Sequence, residues 1–107
     1  MAIFKVEMYV IKPEKQEEYM ALVEKWAAYI KNKEKCKELK SWKLFSQTIG
    51  GTTGAYVEMG EFENLADFEK IMDRIEQDKE FIETIMTPWM SCIVPGTYSM
   101  NIWKSVP

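Results

Sequence analysis

The chain has 107 residues, 47% hydrophobic and 29% charged, with a net charge of −3 and no histidine. This length and composition fit one globular domain, 1–107, with a modest core, and the acidic balance speaks against a nucleic-acid binder, which normally carries a basic stripe. Without histidine the usual general base at neutral pH and the usual zinc or haem ligand are missing, so neither a metal nor a cofactor is expected.

Residues 3–11 alternate between Phe4, Val6, Met8, Val10 and Ile3, Lys5, Glu7, Tyr9, Ile11. This pattern predicts a strand with one wholly apolar side and one mixed side. Pro13, Glu14, Glu17 and Glu18 then favour a helix start. The predicted helix runs to about Lys37 and buries Tyr19, Leu22, Val23, Trp26, Ala27 and Ile30. The basic run Lys31, Lys33, Lys35, Lys37 and Lys40 falls at its end, where it complements the helix dipole; an anion site is the competing reading.

Residues 42–49 and 55–62 read as two strands around Gly50-Gly51-Thr52-Thr53-Gly54. No lysine and no helix follows that glycine cluster, so it is a hairpin loop rather than a phosphate cradle. Asn64 caps a second helix whose apolar stripe is Leu65, Phe68, Ile71, Met72 and Ile75. Around Asp78 the pattern breaks and restarts as Phe81, Ile82, Ile85 and Met86, and Pro88 is expected to limit the continuation. Residues 89–94 are apolar without a period, and Pro95-Gly96 turns the chain into a last strand, 97–104. The apolar segment 81–94 suits a flap or a dimer contact, and dimer contact is the favoured reading.

Val-Glu-Met occurs twice, at Val6-Glu7-Met8 and Val57-Glu58-Met59, each time in a strand that leads to an amphipathic helix. Such a repeat predicts an α+β fold, a ferredoxin-like β-α-β-β-α-β sandwich with an antiparallel four-stranded sheet. Cys36 and Cys92 follow no metal-ligand spacing and read as idle thiols in a reducing cytosol. No apolar stretch approaches the ~20 residues that cross a bilayer, and no signal-peptide pattern precedes the first strand. A cytoplasmic protein without membrane contact is expected.

Two helices cover only one face of a four-stranded sheet. Phe4, Val6, Met8, Val10, Ala55, Val57, Met59, Trp42 and Leu44 are expected beneath them. The uncovered side would then carry Lys5, Glu7, Tyr9, Lys43, Phe45, Gln47, Tyr56, Glu58, Ser99, Asn101 and Trp103. So many rings on one side call for a cover, and a second copy of the chain is the expected partner.

The element order, Tyr56-Val57-Glu58-Met59 followed by Phe62-Glu63-Asn64-Leu65-Ala66-Asp67-Phe68, and the late Pro95-Gly96 give a further lead. On these features the chain resembles the dimeric α+β barrel superfamily, with its antibiotic-biosynthesis-monooxygenase-like, NIPSNAP-like and stress-responsive barrel proteins. The resemblance implies strand order 4-1-3-2, sheet-to-sheet homodimers, and a pocket between sheet and helices. Some relatives oxidise aromatic polyketide-like substrates without a cofactor; others degrade haem, which the lack of histidine disfavours here. Asn101, Trp42 and Trp103 are of the residue types that the cofactor-free oxygenases use, although no catalytic role is carried across.

Glu7 and Glu58 would be cross-strand neighbours, and like charges so placed need relief. Pairing with Lys5, Lys43 or Lys104 is one solution; the other is a raised pKa that leaves a carboxyl able to transfer protons. The candidate catalytic residues are therefore Glu7 and Glu58, with Asn101 beside them as a residue of the type that the resemblance brings in. Candidate ligand-binding residues are Tyr9, Tyr19, Trp26, Trp42, Tyr56 and Trp103, helped by adaptable Met8, Met20 and Met72. The expected ligand is a small apolar or aromatic molecule, and the expected reaction a cofactor-independent oxygenation or isomerisation. A non-catalytic structural or regulatory dimerisation module is the alternative. RNA binding fits the sheet aromatics but not the acidic balance.

Overall fold

The computed structural model describes residues 2–107. Strand β1, Ile3–Val10, leads through a 3-10 turn at Pro13–Lys15 into helix α1, Gln16–Ile30. Proline suits that turn because its fixed φ and missing N–H cost nothing at a helix start. α1 ends at Ile30 instead of continuing to Lys37. The Asn32 N–H donates to the Tyr29 carbonyl, and the Asn32 side chain accepts from the Glu34 and Lys35 amides. A capping asparagine inside the lysine run thus starts a separate short helix, α2, Lys33–Cys36.

β2, Ser41–Ser46, and β3, Ala55–Phe62, form the central hairpin, and β2 stops three residues short of its expected end at Ile49. Gly54 closes the loop with φ of 83°, where an added Cβ would stand 3.1 Å from the Ile11 carbonyl oxygen; glycine alone fits there. Asn64 accepts from the Asp67 amide and opens α3, Leu65–Glu76. Asp78 repeats the device on the Phe81 amide and restarts the chain as α4, Lys79–Phe81. A π-helical turn, Ile82–Met86, joins it to α5, Thr87–Cys92. Pro88 does not stop the helix as expected. It sits in the first turn of α5, immediately after the wider π turn, which relieves the usual clash with the preceding carbonyl. β4, Ser99–Lys104, completes the chain.

The strand order is β2-β3-β1-β4 with every pair antiparallel, and all helices lie on one side. This is the α+β ferredoxin-like sandwich that the sequence predicts. Register places Glu7 opposite Glu58, Tyr9 opposite Tyr56, and Ile3 opposite Phe62.

The face assignment of β1 and β3 is the reverse of the expected one. Lys5, Glu7, Tyr9 and Glu58 lie beneath the helices, together with Trp42 of β2. Phe4, Val6, Met8, Val10, Val57 and Met59 point to the side without helices, where Val6 is itself buried among its neighbours, joined by Lys43, Phe45, Ser99, Asn101 and Trp103. The physical reason is that the polar groups of the mixed face satisfy one another inside, so burying that face leaves few orphaned partners. Two aromatic-rich core clusters flank them. One holds Ile3, Cys36, Phe62, Ile71, Ile75 and Phe81, and the other Tyr9, Ile11, Tyr19, Leu22 and Cys92.

Outside the core, two ion pairs tie α2 to α3 and α4. Arg74 holds Glu38 through both terminal guanidinium nitrogens at 2.8 and 2.9 Å. Asp78 accepts from Lys35 Nζ and Tyr29 OH, each at 2.9 Å.

Candidate functional site

Between the sheet and the helices lies a cavity of about 530 Å³. β1 and β3 supply its floor, α1 one wall, and the π turn with α5 the roof. Most of its lining is apolar, from Leu22 and Val23 of α1 to Ile85, Met86 and Trp89 overhead. The polar exceptions cluster on the floor.

Glu58 Oε2 accepts from Tyr9 OH at 2.6 Å, and its Oε1 accepts from Trp42 Nε1 at 3.0 Å. Tyr9 and Tyr19 hydroxyls meet at 2.6 Å. Because the single Tyr9 proton is committed to Glu58, Tyr19 donates to Tyr9. Beside this chain, Glu7 Oε2 accepts from Tyr98 OH at 2.6 Å, and Lys5 Nζ stands 3.2 Å from Glu7 Oε1. Lys5 therefore supplies part of the relief that the facing carboxylates need, by direct contact with Glu7 and only through space to Glu58.

Burial and then the Glu7 charge push the Glu58 carboxyl above the usual carboxylate range, against the Tyr9 and Trp42 hydrogen bonds that favour its charged form. Burial, reinforced by neighbouring carboxylates, raises the Tyr9 and Tyr98 phenols. Burial is also the main cause of the raised Tyr19 phenol. All three remain hydroxyl donors at neutral pH.

Six of the expected site residues line this one cavity: Glu7, Glu58, Tyr9, Tyr19, Trp26 and Trp42. Tyr56 packs outside it, with its ring 4.7 Å from that of Tyr19 and its hydroxyl donating to Gln16 Oε1. Asn101 and Trp103 lie on the opposite face of the sheet, paired in register with Val6 and Phe4. The sheet itself separates them from the carboxylates, because successive strand residues point to opposite faces. Met8 is likewise on the open face, Met72 lines the cavity, and Met20 is on the exposed side of α1.

Sequence reasoning missed Tyr98 and Trp89 as part of the site. Tyr98 falls inside the predicted last strand, 97–104, on the side opposite Ser99, Asn101 and Trp103, and is passed over there, although the structure starts β4 only at Ser99; Trp89 lies in the aperiodic apolar segment and carries no pattern. The π turn at Ile82–Met86, just before that segment, displaces the helical period and hides it. The segment 81–94 contributes roof residues to the cavity, the place of the flap in the sequence reading. Among the described residues no cluster of cysteines and carboxylates is arranged to hold a metal ion, and no helix is long and apolar enough to cross a membrane.

No protein-family model and no curated protein matches the chain. Solved structures do. A NIPSNAP family protein from Agrobacterium tumefaciens superposes with a TM-score of 0.78 at 18% identity, over 99% of this chain and 94% of that one. SnoaB, a cofactor-independent oxygenase from Streptomyces nogalater, gives 0.72 at 10% identity over 97% and 92%. An antibiotic biosynthesis monooxygenase gives 0.72 at 13% identity over 98% and 99%. At these identities the likeness shows the fold: the chain has the α+β fold shared by NIPSNAP and antibiotic-biosynthesis-monooxygenase-like proteins.

Proposed function

We propose that this chain binds a small, mainly apolar aromatic molecule in the cavity and moves a proton on it with Glu58, without a cofactor. The observation that carries the reading is a pair of facing carboxylates on the floor of an otherwise apolar cavity. Its volume of about 530 Å³ lies within the range of small-molecule sites. Lys5 neutralises Glu7, so Glu58 is the carboxylate left to act as a base. Its raised pKa strengthens it in that role relative to an ordinary carboxylate. Once Glu58 has taken the proton, the hydroxyl chain can reverse, with Glu58 donating to Tyr9 and Tyr9 to Tyr19. SnoaB, described as a cofactor-independent oxygenase, supports oxygenation as the fate of the deprotonated ligand; isomerisation is the other fate open to it. Asn101 lies too far from this chemistry to share in it.

A homodimer belongs to the same proposal. Met8, Phe45 and Trp103 are 45%, 49% and 53% exposed on the open face, and such a contiguous apolar face on a soluble chain calls for a cover. A second copy, laid sheet to sheet, hides it. Cys36 and Cys92, both free and buried, suit a reducing cytoplasm.

Hydrogen–deuterium exchange of 2-tetralone, a planar ketone with acidic C–H groups, tests the chemistry. The wild type is expected to accelerate exchange in deuterium oxide, and Glu58→Gln to retain binding while losing roughly 10²–10⁴-fold of the rate. Equal rates in both proteins would remove Glu58 from the role. If neither this ketone nor other planar aromatics bind, the open apolar face favours the second reading, a non-catalytic dimerisation module.

A further inference from the structure

Two indole side chains, Trp26 and Trp42, line the cavity, and the protein treats their N–H groups differently. Trp42 donates to Glu58 at 3.0 Å. Trp26 Nε1 is closed off from solvent and has no hydrogen-bond partner among the described residues. Its ring stacks on Tyr29 at 5.8 Å and meets Trp42 and Phe81 at 6.3 and 5.7 Å, contacts that hold the indole without offering it an acceptor atom. An aromatic face is at best a weak substitute for one. The floor groups are all engaged: Lys5 with Glu7, Tyr98 with Glu7, Tyr9 and Tyr19 with each other and Glu58. Trp26 thus stands out as an uncommitted buried donor in a wall built for a ligand, and such a group calls for a partner that is not part of the chain.

We propose that Trp26 forms a specificity subsite that takes a neutral hydrogen-bond acceptor of the ligand, such as a ketone or quinone oxygen. The inference rests on the cavity being a ligand site and adds what that ligand must carry. Trp26 can only donate, so a hydroxyl proton or an ammonium group there gains nothing. A carboxylate acceptor would share a low-dielectric cavity with Glu7 and Glu58, and repulsion disfavours it. The roof opposite is the adaptable part of the wall. It is built on the π turn and includes Met86, and a flexible thioether can yield as the acceptor reaches the nitrogen.

The test uses three probes of one shape: 2-acetylnaphthalene, 2-isopropylnaphthalene and 2-naphthoate. Wild type is expected to bind the ketone roughly tenfold more tightly than the hydrocarbon or more, since one net hydrogen bond is at stake, and to bind the carboxylate more weakly than the ketone. In ¹H–¹⁵N spectra the Trp26 indole proton should move downfield with the ketone and stay in place with the hydrocarbon. Trp26→Phe should bind ketone and hydrocarbon alike. Should that variant fail to fold, the wild-type indole resonance decides alone. Equal affinities with an unmoved indole proton overturn the subsite and leave the ligand-cavity reading standing. So do a preference that survives Trp26→Phe, and a naphthoate that binds as tightly as the ketone. Binding of none of the three removes the cavity reading and this inference with it.

Discussion

The two faces of the sheet divide the work in the opposite sense to ordinary expectation. The covered face buries Lys5, Glu7, Glu58 and the Tyr9 hydroxyl, while the open face presents Phe4, Met8, Val57 and Met59 around Val6, which is itself only 1% exposed. A polar group beneath a helix layer is tolerated when its partners are buried with it, and here each of the carboxylates accepts from a tyrosine at 2.6 Å. Apolar groups have no such internal remedy. Their removal from water needs another surface. The interior therefore gathers the polar groups, and the open face is left with apolar surface that its own chain does not cover.

Two substitutions of large effect separate the faces. Phe62, 1% exposed, packs beneath α3 against Phe68 with ring centroids 5.5 Å apart. Phe62→Ala should cost about 3–5 kcal/mol of stability through the cavity it leaves, seen as a lower urea midpoint at unchanged slope. Met8→Glu on the open face should leave the protomer within about 0.5 kcal/mol of its starting stability, because the site is already half exposed. If a second copy covers that face, the new carboxylate is buried unpaired, at a cost of about 3–5 kcal/mol. Sedimentation should then show the dimer dissociation constant raised by roughly 100-fold or more. A variant that sediments like the wild type would mean that nothing covers Met8.

The same contrast explains what could be read in advance. Element order, the β3 boundaries, the Asn64 cap and the restart at Asp78 follow from local chemistry and periodicity, the strand order comes from the family resemblance, and all are present. Glu7 and Glu58 were legible as a facing pair because the repeat set their register. Which face turns inward was not, because alternation shows that two faces differ but hydrophobicity alone chooses between them. At β1 it chose wrongly: the deciding fact is a set of hydrogen bonds from Tyr19, Trp42 and Tyr98 to the floor residues, made by residues remote in sequence. Asn101 and Trp103 were assigned correctly to the open side, yet that very placement took them away from Glu7 and Glu58. The true ends of α1 and α5 hung on Asn32 and on a π turn that no propensity scale signals.

The smallest effect compares the interior carboxylate with the carboxylates at the surface. Asp78 and Glu38 are held at about 2, mainly by hydrogen bonds from Lys35 and Arg74 respectively. A depressed carboxyl adds stability above its unfolded pKa and loses it as pH falls toward the folded value, so these two give a rising limb between pH 2 and roughly 4.5. Glu58 has the opposite sign. Its folded pKa lies above the ordinary 4.5, so between those values the native state binds more protons than the unfolded chain, and stability falls as pH rises. The urea midpoint should therefore pass through a maximum near pH 4.5 and decline beyond it. In Glu58→Gln the rising limb should persist, since Asp78 and Glu38 are untouched, while the decline flattens. If the decline survives the substitution unchanged, the strain above pH 4.5 resides elsewhere than in the facing carboxylates, and Glu58 loses its claim to be the poised base.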